Sequence, residues 1–429
     1  MSFYANLPAG LQEILQNGLL ERVFQDALIP EFLFDELAEI KPWGGAMGSQ
    51  SIMTRAGLMV PTTTAVTGAD APVGTYGFEQ YSLFMEQYGN SIDTNMAVSA
   101  QALASKFLED NMTLGINAGQ SINRIARNTL YNAYAGGNTW VTATSTTSTA
   151  LVVNSAIGFD KAQQTIAGQT GNTEGINVSN VPQYNPVSAS NPLSITVGGV
   201  ANTVVGINLS TNTLTLGTAI SATLNQDVVA LIAPVSYRPN ARATAADLVS
   251  GDIATLSLFE SAVTRLRSMN VPMLNGAYTA HVSPQTWQEL FQDAAFQRVY
   301  TGRNESPAYK DFSLSQGRFI GIDWIMNNEL PTENTPGGLP VYQPIVAGKN
   351  SLIKGPFSEM ADLVTQMNAG STVQIDMVNG VARILRAPLD RFGQILSSTW
   401  SWIGGYSVGT DMLTGDTATF KRAVVLQHV

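Results

Sequence analysis

A chain of 429 residues is long enough for two or three domains, and 44% apolar residues is the share of a folded protein with a real core. Only 13% of residues are charged and the net charge is -10 without any basic run, so tight wrapping of nucleic acid is excluded, while a surface that merely faces it is allowed. The absence of cysteine excludes disulfides, thiolate zinc sites and cysteine nucleophiles, and the low charge leaves much neutral surface that other subunits could cover.

The opening MSFYANLPAGLQEIL has no basic region followed by an apolar core, so no signal peptide is expected. No apolar run is long enough for a transmembrane helix, and no membrane contact is expected. Residues 1 to 45 read as an arm. Leu20, Val23, Phe24, Ala27 and Leu28 predict a short helix interrupted by Pro30; Phe32, Leu33, Leu37 and Ile40 predict a second, ended by Pro42. Residues 46 to 90 predict a long two-stranded hairpin turning near Gly68, Asp70 and Pro72, with aromatic and polar residues alternating from Tyr76 to Tyr88. Alone it would be marginal in water, so it needs packing partners, either other subunits or an ordinary sheet.

The spacing predicts one long helix over Asp93–Tyr134, with Ser91 or Asp93 as cap and Gly136-Gly137 as its end. Leu103, Phe107, Leu114, Ala118, Ile122, Ile125 and Thr129 draw its stripe. Gly115 and Gly119 lie one turn apart within it and mark either a bend or the close approach of another backbone. From Asn138 to Val235 the only charged residues are Asp160, Lys161, Glu174 and Asp227, and short β-like runs recur between Gly and Asn. Residues 138–240 therefore predict a small all-β domain inserted between helical and mixed segments.

Residues 241–429 predict an α+β unit. Ile253, Leu256, Phe259, Val263 and Leu266 mark a helix stopped at Asn270-Val271-Pro272. NGAYTAHVSP predicts a turn, a strand and a helix start, with Ser283 as N-cap, Pro284 first in the helix, and Trp287, Leu290, Phe291, Ala294 and Ala295 carrying it. Residues 297 to 318 read as a polar surface loop. RFIGIDWIMNNELP predicts a strand, PVYQPIVAGKNSLIKGPF one or two more, STVQIDMVNGVARILRA a hairpin about Asn379-Gly380, and Ala423–Leu426 a last strand.

No catalytic signature emerges. His281 sits in a predicted strand and reads as structural, and His428 is the other histidine. There is no G-x-S-x-G elbow and no phosphate loop, and Asp411–Asp416 lacks the glutamate that would close a calcium loop. No cofactor and no enzyme activity are expected. An arm, an extended hairpin and a very long helix are devices for reaching neighbours.

This order of parts resembles the major capsid proteins of tailed bacteriophages with the Hong-Kong-97-like shell fold. The arm would be 1–45, the extended loop 46–90 and the spine helix of the peripheral domain 91–137. The axial domain and the rest of the peripheral domain would fall in 241–429. SLFESAVTRLRSMNVPMLNGAYTAHVSPQTWQELFQDAAFQRVY and QGRFIGIDWIMNNELP are similar to family segments; residues 138–240 depart from the minimal plan. The resemblance implies self-assembly into hexamers and pentamers of an icosahedral shell around double-stranded DNA, in the virion, made in a bacterial cytoplasm. It also implies a separate scaffolding protein, a portal, and no sequence-specific DNA contacts. Residues 46 to 90 contain Arg55 but no lysine, so no covalent cross-link from this loop is expected. Interface candidates are Phe24, Phe32, Phe34 and Trp43 of the arm, and Arg55, Gly68, Asp70, Tyr76, Phe78 and Tyr81 of the loop. The other reading packs the arm aromatics inside their own subunit. Rival functions are a tail or baseplate protein, a β-rich surface-binding protein, and a carboxylate enzyme.

Overall fold

The computed structural model describes residues 19–43, 48, 50–56, 63, 65, 68, 70, 78–95, 103–167, 180–231, 233–298, 318–357, 373–386, 394–409 and 421–429. In chain order it begins with helix α1 (Leu19–Leu28) and strands β1 (Ala38–Ile40), β2 (Gln50–Ala56), β3 (Phe78–Phe84) and β4 (Glu86–Asn95). Helix α2 (Leu103–Tyr134) follows, then β5 (Asn138–Trp140), β6 (Ser145–Val152), β7 (Lys161–Ala167), β8 (Asn180–Pro186), β9 (Leu193–Val197), β10 (Val200–Asn208), β11 (Thr213–Ala222) and β12 (Asp227–Ala230). After β13 (Ser236–Tyr237) come α3 (Leu256–Ser268), β14 (Tyr278–Val282), α4 (Pro284–Leu290), β15 (Arg318–Phe319), β16 (Ile322–Met326), β17 (Thr332–Asn334) and β18 (Pro340–Tyr342). The chain closes with β19 (Ile345–Ala347), β20 (Leu352–Pro356), β21 (Val373–Val378), β22 (Val381–Arg386), β23 (Ile395–Ser407) and β24 (Ala423–Leu426).

Two compact units emerge. One comprises Met1–Ser51, Leu83–Arg127 and Ile353–Ser407; the other comprises Ile52–Ser82, Asn128–Leu352 and Val408–Val429. In the first, β23 is the backbone of a six-stranded sheet. Its residues 395–404 pair antiparallel with β4 in an unbroken ten-residue ladder, and β22 and β20 lie along it as well. Helix α2 covers this sheet. Leu114, Ala118 and Ile122 pack with Val378, Val381, Trp400 and Trp402, and α1 adds Phe24 and Leu28 to the same core.

Among the described residues the long helix runs from Leu103, whereas the sequence predicts it from Asp93. Residues 86–95 form β4, so Ser91 and Asp93 lie in a strand and cap nothing. The physical reason is alternation: Tyr88 and Ile92 pack toward the core while Gln87, Gly89 and Ser91 face solvent, a period of two that β23 can satisfy. At 32 residues the helix is roughly 48 Å long. Its stripe turns as expected from Phe107 to Ile122. Further on Ala126 and Leu130 are buried, while Ile125 and Thr129 are only half-buried.

Gly115 and Gly119 mark a close approach. A Cβ at Gly115 would stand 2.8 Å from the Phe24 carbonyl oxygen, and one at Gly119 would stand 2.9 Å from that of Leu28 and 2.6 Å from Glu31 Cβ. Helix α1 thus crosses α2 backbone to backbone. The second arm helix predicted from Phe32 to Ile40 is instead a 3-10 turn, Asp35–Leu37, followed by β1. β1 joins the sheet beside β20, where Lys41 N–H donates to the Lys354 carbonyl at 2.8 Å and Trp43 N–H to that of Pro356 at 2.9 Å.

In the second unit, a six-stranded sheet in the order β5-β12-β9-β10-β11-β6 spans residues 138–230, with a core of Val141, Leu151, Phe159, Ile195, Val204 and Leu214 among others. A further sheet, β13-β24-β19-β14-β16-β15, carries α3 on a core that includes Phe259, Val263, Leu266, Tyr278, Val346 and Val424. Ser283 caps α4 as predicted, its Oγ accepting from Thr286 N–H at 3.1 Å. The helix stops at Leu290, however. Asp293 then restarts a helical turn by accepting from Ala295 N–H at 2.9 Å, so Ala294 and Ala295 fall outside α4. Asn379 and Gly380, at φ +49° and +81°, form the turn between β21 and β22. The loop predicted at 297–318 lies mostly outside the described residues.

Alanine is the better helix former by about 1 kcal/mol. At this crossing the clash outweighs that gain, and Gly115→Ala or Gly119→Ala is expected to destabilise the fold by roughly 1–3 kcal/mol. Urea unfolding of the two variants checks this, and a rise in the midpoint of either would contradict the close approach.

Candidate assembly surfaces

The residues expected to reach neighbouring subunits fall into two groups. The arm aromatics are spent internally. Phe24 and Phe34 have no exposed surface, Trp43 is 1% exposed, and Phe32 packs against the core under α2. This supports the reading that packs them in their own subunit: the glycine crossing seats Phe24 of α1 in the core beneath α2, and Trp43 bridges to Phe357 beside β20.

Polar contacts then hold the arm down. Asn123 of α2 accepts through Oδ1 from the N–H groups of Leu33 and Phe34, at 3.1 and 3.2 Å, just before the 3-10 turn Asp35–Leu37. Lys354 Nζ lies 2.6 Å from Asp35 Oδ2, and the Tyr406 hydroxyl donates to Asp35 Oδ1 at 3.1 Å. Burial, then the Asp35 carboxylate, pushes the Tyr406 hydroxyl well above the ordinary tyrosine range. The same Lys354 ammonium stands 5.4 Å from the centre of the Phe32 ring. None of these pairs is visible in sequence, since their partners are some 90 to 370 residues apart.

The loop residues are placed differently. β2 and β3 are neighbours in one sheet and are joined by about twenty residues, far more than a tight turn uses. β3 is also flanked by β8 in parallel, Gln80 against Gln183 and Tyr81 against Tyr184, and β8 by β7. The predicted hairpin therefore ends at Phe84 rather than residue 90, and it gains two strands from its own chain. Tyr81 is 1% exposed, with its hydroxyl 3.8 Å from Met53 Sδ, so it too packs internally. Gly68 (φ +74°) and Asp70 are exposed. Arg55 lies in β2 and Phe78 in β3; Tyr76 and Pro72 are outside the described residues.

Among the described residues, the large apolar side chains left exposed are scattered and mostly aliphatic, Ile29 and Ile40 in the first unit, Ile52, Leu224 and Leu231 in the second, with Ile40 at 65%; Phe84 and Phe291 are exposed aromatics. Of the aliphatics, only Ile40 stands out in the sequence pattern, which assigns it to an apolar helix face. β4 is an outer strand of its sheet: among the described residues only β23 pairs with it.

One constellation resembles catalytic machinery. Ser283 Oγ is 2.8 Å from Thr286 Oγ1, Thr286 Oγ1 is 2.8 Å from His428 Nε2, and His428 Nδ1 is 2.9 Å from Glu289 Oε2. Glu289 also accepts from Ala254 N–H at 2.7 Å, and these contacts hold its carboxyl below the usual range against the cost of burial. A hydroxyl, an imidazole and a carboxylate in line are the parts of a nucleophilic relay. Here Thr286 and His428 have no exposed surface, so no substrate reaches the hydroxyl. The chain's work is to pin the C-terminal end, whose His428 also exchanges backbone hydrogen bonds with Tyr342. His281 is fully buried in β14, between β16 and β19, and burial lowers its pKa to about 3.

No protein-family model matches the chain, and no curated protein matches it. Among solved structures it is similar to the capsid of Ralstonia phage GP4, with a TM-score of 0.48 and 12% identity over 91% of this chain and 87% of that one. It is similar to the capsid of cyanophage P-SCSP1u, with a TM-score of 0.45 and 11% identity over 93% and 88%. For the capsid asymmetric unit of cyanophage Pam1 the values are 0.45 and 11% over 92% and 91%. Likenesses with TM-scores below 0.5 establish neither fold nor function by themselves.

Two outcomes test this arrangement. Asn123→Ala leaves two backbone donors without their acceptor, at about 1–3 kcal/mol each; limited proteolysis should then cut within the arm while residues beyond 103 stay protected, and an unchanged digestion pattern would contradict it. His281, with its folded pKa below the unfolded value, contributes stability that is full above about pH 6.5 and falls by about 1.4 kcal/mol per unit as pH drops toward 3. Unfolding free energies measured from pH 7 to 5 should show this slope, and His281→Leu should flatten it; equal slopes in both proteins would exclude His281 as its source.

Proposed function

We propose that this chain is a structural protein that builds a closed shell from many copies of itself. Within that class it is read as the major capsid protein of a tailed-bacteriophage head, with the Hong-Kong-97-like set of arm, extended loop, spine helix, peripheral and axial domains. The observation that carries this is the order of parts: an arm locked across a 32-residue helix, and between them in the chain two paired strands joined by a long connection, followed by β4. A self-contained binding module or enzyme has no use for that order.

The β-rich module at 138–240 fits an insertion into such a plan. Its first and last strands, β5 and β12, are antiparallel neighbours, Asn138 opposite Val229 and Trp140 opposite Asp227, so the chain enters and leaves it at one place. Its near absence of charge and its Thr, Ser and Asn content suit an outward or neighbour-facing position.

Subunits would meet through the exposed aliphatics Ile40 and Ile52, the outer side of the sheet at β4, and the loop around Arg55, Gly68, Asp70, Tyr76 and Phe78. Apolar burial between subunits would supply most of the association energy. The net charge of -10 suits a lumen that holds DNA without trapping it. A separate scaffolding protein and a portal complete the proposed set of partners, and residues 46–90, lacking lysine, would leave mature subunits unlinked through this loop.

Electron microscopy of the purified protein, produced alone and with its genomic neighbours, tests the reading. Closed shells or regular capsomers of uniform diameter are expected in at least one preparation. Monodisperse monomers in both would overturn it.

A further inference from the structure

The second unit contains a cleft of about 340 Å³ with no part in the assembly argument. Its lining includes the hydrocarbon of Ala135, Ile157, Pro331 and Tyr131. The rest of the lining is polar, and its one charged group is Glu333 of β17. The Glu333 carboxylate is met by neutral donors only, Gln343 Nε2 at 2.6 Å on Oε1 and Asn154 Nδ2 at 3.0 Å on Oε2. Asn138 also lines the cleft, and its Oδ1 is buried with no hydrogen-bond partner.

The local charge balance is negative. Arg238 is the cation that acts on Glu333, but the same guanidinium is shared with Asp227 and Asp247. It is also committed elsewhere, its Nε donating to Gln427 Oε1 at 2.7 Å and Nη1 to the Ala243 carbonyl at 2.8 Å. Burial consequently pushes the Glu333 carboxyl above its ordinary value, with Gln343, Arg238 and Asn154 opposing the shift. A buried acceptor and an under-compensated carboxylate on the wall of an open, half-apolar cleft together define what is missing.

We propose that this cleft binds a primary alkylammonium group, its –NH₃⁺ donating to Glu333 and Asn138 Oδ1 and its methylenes lying along Ile157, Pro331 and Tyr131. A divalent metal fits poorly, since magnesium and calcium take six or more oxygen ligands, usually from several carboxylates. A bare monovalent ion would leave the hydrocarbon wall unused. The ammonium can come from a free aliphatic amine or from a lysine side chain of a second copy of this chain; the chemistry at Glu333 is the same.

The test is calorimetric titration of the full-length protein with n-pentylamine, alongside its neutral isostere 1-pentanol and magnesium chloride. Saturable binding of the amine, at least tenfold stronger than that of the alcohol and undisturbed by millimolar magnesium, is expected. Glu333→Gln should weaken it at least tenfold. Asn138→Ala, which leaves the carboxylate in place, should weaken it severalfold, so a folding failure of the first variant leaves the second to decide. Binding should tighten as pH rises through the titration of Glu333, while the amine stays charged. No amine binding, equal binding of the alcohol, or full affinity in a folded Glu333→Gln protein would each overturn the site. Repeating the titration on assembled particles separates the two sources: an open site means a free amine, and one closed only on assembly means a neighbour's lysine.

Discussion

The first unit depends on two helix backbones that touch. Gly115 and Gly119 each weaken α2 by about 1 kcal/mol relative to alanine, and an isolated helix would select against them. The loss is offset by what the missing side chains admit. With α1 lying against the groove, Phe24 and Leu28 reach the core formed by Leu114, Ile122, Trp400 and Trp402. From there the chain is led past Asn123 to Asp35 and into the sheet at β1. The arm is therefore part of the fold, and the apolar surface that α2 presents to the sheet is completed by residues more than eighty positions upstream.

Much of this could be read from sequence where the signal is local. Ser283-Pro284 opens a helix and Asn379-Gly380 turns a hairpin because a single residue pair satisfies the geometry. The close approach at Gly115 and Gly119 was one of two readings, and the structure selects it over a bend. The start of α2 was misplaced for an instructive reason. Residues 93–102 contain no proline and extend a helical composition, so nothing local forbids a helix through Asp93. What wins is tertiary: β23, thirteen residues long and rich in Trp, Gly and Ser, offers β4 a ladder along ten of them. That strand was not anticipated either, because Gly404 and Gly405 weaken a strand by local propensity and gain their place only through close packing beside Leu83, Phe84 and Gly355.

Burial of four of the interface candidates in their own subunit was hidden for a similar reason. Phe24, Phe34, Trp43 and Tyr81 were picked because they are large and lie on segments too short to build a core. Burial, however, is decided by the partner surface, and that surface comes from α2 and the sheets. The ion pair of Asp35 with Lys354 and the relay from Ser283 to His428 join positions with no periodic relation, so no pattern could announce them. The low charge of the chain was legible and remains informative, since it limits electrostatic control over any surface the subunit shares.

Burial of the tryptophans bears on assembly on the shell reading. Interfaces of tight binary complexes concentrate their energy in buried Trp, Tyr and Arg anchors. This subunit keeps Trp43, Trp400 and Trp402 inside, and its exposed large apolar residues are scattered and mostly aliphatic among the described residues, beside a strand edge. Each such contact is modest, and a modest contact is reversible. A subunit joined wrongly by one edge can leave, whereas one held by several neighbours at once gains from high effective concentration and stays. A closed lattice needs that combination, because its regularity depends on errors dissolving before the shell closes around them.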